Sequence, residues 1–250
     1  MAGLLDVQGV SKTFGALRAV NGVSFQVAEG EIFGIAGPNG SGKSTLFNII
    51  TSTPFPASAG EIRFAGEAIH RKSPHEICHL GLARTFQRET AFDSLTVREN
   101  VVLGAVFGPG GSQPADVDAR VRSALDFVEL ASANVERPAA ELSVFDRKRL
   151  MLASALVMEP KMILLDEPAS GLTKPEIEET IRIIKRTNER GIAVVLIEHV
   201  LPVLLALSRR LMVLNQGEVL TTGDPDVVVR DPRVVEAYLG AKGARDVGAA

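Results

Sequence analysis

The sequence predicts an α/β fold with a parallel central sheet, an antiparallel β portion near the amino terminus and a helical insert in the middle. Three observations predict it. Short apolar runs at 162–165, 193–197 and 211–214 are separated by a helical stretch at 175–190, the alternation of parallel strands with crossover helices. Residues 31–36 form a buried apolar run that enters a glycine-rich turn, and 43–50 then has the spacing of a helix. Between about Glu89 and Met158 the character changes. Residues 116–130 and 146–158 carry apolar positions at helical spacing, with a Gly/Pro/Ser turn at 108–114.

The remaining elements follow from pattern and composition. Residues 4–27 alternate β-branched and polar residues around Gly9, Gly15 and Gly22, which reads as short strands and turns. A chain of 250 residues can bury one large core or a core with an inserted subdomain, and 46% hydrophobic with 23% charged residues argues against disorder or a fibrous repeat. With 27 basic and 30 acidic residues the net charge is −3, so no whole-chain field favours nucleic acid. The single Cys78 can form no internal disulfide and reads as a half-buried small apolar residue, in keeping with a reducing cytosol. No secretory pattern opens the sequence, so the chain is expected to stay inside the cell. The longest apolar region, 192–207, is cut by Glu198, His199 and Pro202 and falls short of the roughly 20 residues that span a bilayer. Any membrane role is expected to come through a partner.

Gly37-Pro38-Asn39-Gly40-Ser41-Gly42-Lys43-Ser44 fits the phosphate-loop pattern G-x-x-x-x-G-K-[ST], between a predicted strand and a predicted helix as the motif requires. Its glycines let backbone N–H groups converge on phosphate oxygens, and the helix start, with Thr45 in its first turn, adds positive dipole. Lys43 is placed to neutralise the β and γ phosphates and Ser44 to ligate Mg²⁺. Residues 162–165 lead into Asp166 and Glu167, the place where such ATPases carry a magnesium-linked acid and a carboxylate able to polarise water. His199 ends another apolar strand, where it can bond to the γ-phosphate or orient the attacking water.

On these residues the sequence resembles the ATP-binding cassette (ABC) family, and within it the ATPases of branched-chain amino acid uptake systems, from about Leu4 to Gly240. Ser11-Lys-Thr-Phe14-Gly15 resembles the loop whose aromatic ring stacks on adenine. Residues 81–87 resemble the glutamine loop, and the ending Glu236-Ala-Tyr-Leu-Gly240 is similar to that of the uptake subfamily. The resemblance implies a RecA-like core at 4–87 and 159–240, a helical subdomain at 88–158 and a tail at 241–250. It gives Gln87 a metal contact, Glu167 the general-base role and His199 that of the switch histidine. It further implies ATP and Mg²⁺ as ligands, a second ATP-binding subunit, permease subunits and, indirectly, a solute-binding protein. A peripheral position on the inner face of the cell membrane follows.

Two departures stand out. Where the family has the signature Leu-Ser-x-Gly-Gln, this chain has Leu142-Ser143-Val144-Phe145-Asp146. Ser143, Phe145 and Asp146 then form the cross-subunit contact, with bulk at the glycine position and an added negative charge, so that a heterodimer is favoured over a homodimer. The loop after Glu167 ends in Thr173, where an aspartate or asparagine is usual. A subunit that binds ATP without turnover is the alternative that these changes favour. His75-Glu76-Ile-Cys-His79 spells the zinc-protease pattern H-E-x-x-H, but its short segment before the glutamine loop makes a chance match the better reading. Residues 201–207 and 227–235 lack a basic polar face, so packing on the core is expected rather than membrane binding.

Overall fold

The computed structural model describes residues 3–86, 91–109, 114–130 and 135–238. Strands β1 (Leu5–Phe14) and β2 (Leu17–Val27) form an antiparallel pair, where short strands and turns were expected. Gly9 and Gly22 do not end these strands. They take positive φ inside them, where the register of β1 slips between Val7 and Val10, so they act as bulges within continuous pairing. The reason is burial: Leu5, Val7 and Val10 face Val23, Phe25 and Val27 in one core, and that packing carries the strands past the glycines.

Strand β3 (Ile32–Ala36) leads into α1 (Lys43–Ile50), after which β4 (Ala59–Phe64) and β5 (Glu67–Ala68) complete a four-stranded antiparallel sheet in the order β2-β1-β4-β5. Helix α2 (Pro74–His79) and strand β6 (Leu82–Arg84) precede α3 (Val97–Phe107), α4 (Pro114–Phe127) and α5 (Val144–Leu156). Helices α4 and α5 begin two residues before their sequence-predicted starts; α3 and β6 were not separately expected. Thr96 caps α3 and Ser143 caps α5 through their side-chain oxygens, which fixes where both helices start.

The chain continues through β7 (Met162–Asp166), α6 (Lys174–Glu189), β8 (Ala193–Ile197), α7 (Leu201–Leu207), β9 (Arg210–Asn215), β10 (Glu218–Gly223) and α8 (Pro225–Val228). Residues 232–238 are again helical. The second sheet has the order β10-β9-β3-β8-β7-β6; β3 is parallel to β8 and β9, and only β10 runs antiparallel. Its strands β3, β7 and β8 are buried along their whole length because both faces are covered there. Met162, Leu164, Val195 and Ile197 face α1 and the antiparallel sheet, whereas Ile163, Leu165, Val194 and Leu196 face the helical side. Helix α7 buries Val203, Leu204 and Leu207 in that helical-side core. No described helix is long and apolar enough to cross a membrane.

Candidate nucleotide-binding site

Strand β3 stops at Ala36, the glycine loop follows, and α1 starts at Lys43 with Gly42 as its cap at φ 102°. The loop is hemmed in on two sides. A Cβ on Gly37 would lie 2.2 Å from the Leu214 carbonyl oxygen, and one on Gly42 would lie 2.4 Å from that of Ala19. The turn at Gly217 ties the loop to the antiparallel sheet: its N–H donates to Ser41 O (3.0 Å) and its carbonyl accepts from Asn21 N (2.8 Å). Lys43 is buried, and its Nζ donates to the carbonyls of Gly37 (2.7 Å) and Pro38 (2.9 Å). Burial pushes its pKa down, while the nearby carboxylates of Glu167 and Asp166 draw it back up. The N–H of Gly37 donates to the Tyr238 hydroxyl at 2.7 Å.

Asp166 closes β7 and is ion-paired with Arg84 at 3.2 Å, their side chains 2% and 6% exposed. Arg84 also donates to Asn48 Oδ1 (2.9 Å) and Thr51 Oγ1 (3.2 Å) at the end of α1. Burial raises the Asp166 pKa, and the Arg84 guanidinium opposes that rise. One oxygen, Oδ1, is buried without a hydrogen-bond partner. An orphaned carboxylate oxygen together with the Ser44 hydroxyl in the first turn of α1 is an all-oxygen donor set that fits a hard divalent cation such as Mg²⁺. Among the described residues no group of three or more His, Cys, Asp or Glu could hold a metal by itself.

Glu167 adopts a left-handed backbone at φ 52°, unusual for a side chain of this size, where its N–H donates to Ile197 O at 2.9 Å. Its carboxylate lies 3.8 Å from His199 Nδ1, and its carbonyl accepts from Lys148 Nζ at 3.0 Å. The adjoining Glu198, fully buried, organises this corner. Its carboxylate accepts from the N–H groups of Ala169 (2.6 Å), His199 (3.1 Å) and Val200 (3.2 Å), joining the turn after Glu167 to the turn that carries His199. Burial raises its pKa against the pull of those N–H groups. On the antiparallel sheet Phe14 is exposed, edge-on to Phe55 at 5.0 Å, with Lys12 Nζ 4.6 Å from the Phe55 ring, an aromatic surface able to stack on a base.

The signature segment has a different character. Ser143 Oγ accepts from Asp146 N (3.1 Å) and so caps α5. The Asp146 carboxylate is not a bare charge as expected, because Arg149 (2.5 Å) and Arg137 (3.7 Å) pair with it, and the Arg149 guanidinium lies 4.6 Å from the Phe145 ring centroid. Thr173 N and Oγ1 both donate to Glu176 at 2.7 Å, which makes the departure at that position part of the α6 start. Gln87 lies outside the described residues. In the H-E-x-x-H segment Glu76 accepts from Ser73 N (2.8 Å) and Ser73 Oγ (2.7 Å), while the His75 and His79 rings lie 4.2 Å apart and His79 Nε2 sits 3.1 Å from Phe107 O. Cys78 is half-buried beside Met158, and burial pushes its thiol pKa up.

The site therefore brings together Lys43, Asp166, Glu167 and His199 from elements that the sequence separates by more than 150 residues. Arg84, Glu198 and Tyr238 were missed as members of it. Only Glu198 left a signal, a lone carboxylate closing an apolar strand.

A glycine loop between β3 and α1, at the end of a mostly parallel sheet, defines a P-loop nucleotide-binding protein. The ABC transporter family profile matches residues 20–170, and that of the branched-chain amino acid ATP-binding cassette transporters matches residues 218–244. The chain is 34% identical to the high-affinity branched-chain amino acid transport ATP-binding protein BraF of Pseudomonas aeruginosa, over 95% of this chain and 98% of that protein. Its fold is similar to the ADP conformation of MJ1267, an ATP-binding cassette of an ABC transporter, with a TM-score of 0.85 and 32% identity over 96% of this chain and all of that one. It is also similar to the dimeric post-hydrolysis state of the cassette MJ0796 bound to ADP and phosphate, with a TM-score of 0.80 and 27% identity over 88% and 98% of the two chains. The chain belongs to the ABC transporter ATP-binding proteins, in the branched-chain amino acid subfamily of BraF and LivG.

Proposed function

We propose that this chain hydrolyses ATP to drive import of branched-chain or related amino acids, and that it does so in a dimer with a non-identical ATP-binding subunit. The convergence of Lys43, Asp166, Glu167 and His199 at one sheet edge supports turnover. In this reading Phe14 stacks on adenine, the amides of residues 40–45 cradle the phosphates, and Lys43 exchanges its loop carbonyls for β and γ oxygens. Glu167 takes a proton from the attacking water, and His199 orients that water or the γ-phosphate. Ser44 and Asp166, with Gln87, would hold Mg²⁺, which when bound offsets charge on the phosphates.

Exposed apolar residues support the permease as partner. Phe92 and Phe107 are 60% and 66% exposed, and Phe86 and Phe92 line a groove of about 190 Å³ with residues of α3 and α5. Docking there would place the chain on the inner face of the membrane, next to Gln87 in sequence. A solute-binding protein would then act through the permease.

The observation that carries the unequal pairing is the altered start of α5. A bound γ-phosphate from a second subunit needs open backbone amides there, and here Phe145 stands at the glycine position against Arg149 while Asp146 adds a carboxylate paired with Arg149 and Arg137. The site holding Lys43, Glu167 and His199 would be completed by an intact signature on the other subunit, and the site facing Phe145 would be slow. The expected outcome is weak ATPase activity of the isolated chain at every protein concentration, and a cooperative, concentration-dependent gain in the double variant Phe145→Gly, Asp146→Gln. Strong concentration-dependent hydrolysis by the unaltered chain alone overturns the unequal dimer.

A further inference from the structure

Gly37 is the residue at which the chain leaves the sheet. The register of β3 ends with Ile35 opposite Ile197 and Ala36 opposite Val213, so the N–H of Gly37 lies one residue beyond the last strand pair. A buried amide there needs a partner from elsewhere. Tyr238 supplies it at 2.7 Å. The ring is held by helix 232–238, whose Val234 is buried, and it lines a cavity of about 290 Å³ together with Ala36, His199, Leu204 and Val213. On the other side of the same residue, the Gly37 carbonyl accepts from Lys43 Nζ. Gly37 is thus gripped from both sides, by a phenol and by the cation that must let go when phosphate arrives.

We infer that Tyr238 is a positioning residue for nucleotide binding: its hydroxyl holds the first peptide of the phosphate loop in place while Lys43 moves from the Gly37 and Pro38 carbonyls to the phosphates. Leu214 O lies so close on the β9 side that a Cβ on Gly37 would come within 2.2 Å of it, so the peptide has no room for a side chain and is held by its N–H and carbonyl alone. A loop held before the ligand arrives adds no ordering cost on binding. The segment that marks the branched-chain amino acid subfamily, residues 218–244, therefore reaches the phosphate loop through one hydrogen bond.

The test is Tyr238→Phe, which removes one oxygen and keeps the ring in its cavity. Affinity for ADP and ATP, measured well below the melting temperature by displacement of a fluorescent nucleotide, is expected to fall roughly 5- to 10-fold, the scale of one hydrogen bond. The thermal midpoint without nucleotide is measured in parallel. A lower midpoint with unchanged affinity would mean a merely structural bond and overturn the inference. The unaltered protein offers a second measurement free of any folding defect: exchange of the Gly37 amide proton without nucleotide is expected to be slow, and fast exchange there while the strand amides stay protected overturns the inference. The inference rests on nucleotide binding at the loop. Lys43→Ala is the separate control, since retained affinity in that variant would defeat the nucleotide site itself rather than the role of Tyr238.

Discussion

Two helix starts in this chain can be compared directly. Helix α1 begins at a glycine, without a side-chain cap and without an acidic residue in its first turn, so its amides stand open. Helix α5 begins at Ser143, whose hydroxyl already bonds the Asp146 amide, and Asp146 places a carboxylate in the first turn. Both starts carry the same positive dipole end. The first is left for an anion from outside; the second has one amide taken by its own cap and a carboxylate, held by two arginines, in its first turn. That makes the second the poorer place for a phosphate.

The largest expected effect sharpens this contrast on the open side. Glu167→Gln should keep nucleotide binding and slow hydrolysis roughly 10²- to 10⁴-fold, the scale of a lost general base. Single-turnover ATPase assays against nucleotide affinity would check it, and full activity would move the base role to His199. The next contrast is between two arginine–aspartate pairs. Arg84→Met leaves Asp166 charged and buried, and should cost about 3–5 kcal/mol in chemical unfolding. Arg149→Met, at a pair about one-fifth exposed, should cost roughly 1–2 kcal/mol. Equal losses would break the distinction between a closed core site and a half-open strut.

The last contrast is one of pH. Glu198→Gln must turn an NH₂ group toward an N–H that the carboxylate now accepts, with a loss of about 1–3 kcal/mol. The folded-state pKa of Glu198 lies above its unfolded value. Its contribution is therefore fully present below the ordinary carboxylate range and declines as pH rises through the raised folded value. The deficit of the variant should be largest in acid and shrink toward neutral pH, as read from urea unfolding at a series of pH values. A deficit that grows with pH would contradict the burial effect.

Much of this was legible because it is local. The phosphate loop, the helix at 43–50 and the strand at 193–197 follow from patterns shorter than ten residues, and the structure has the same boundaries for both. What was hidden depends on residues far apart in sequence. Arg84 meets Asp166 across 82 positions and Tyr238 meets Gly37 across 201. The glycines of β1 and β2 were misread as strand ends because only the packed sheet shows that bulges suffice. The charge of Asp146 was read in isolation, although Arg149 stands three residues on, one helical turn away, and the structure pairs them.

The crowding around the phosphate loop bears on how the molecule comes into being. Residues 37–42 are made well before what closes around them: Val213 pairs with Ala36, the Leu214 carbonyl leaves no room for a Cβ on Gly37, Gly217 bonds to Ser41 and Tyr238 bonds to Gly37. Synthesis runs from the amino terminus, so a nascent chain halted before Arg210 has the complete motif but none of these walls. A loop complete in sequence at residue 42 is thus framed only after some 170 further residues have been made.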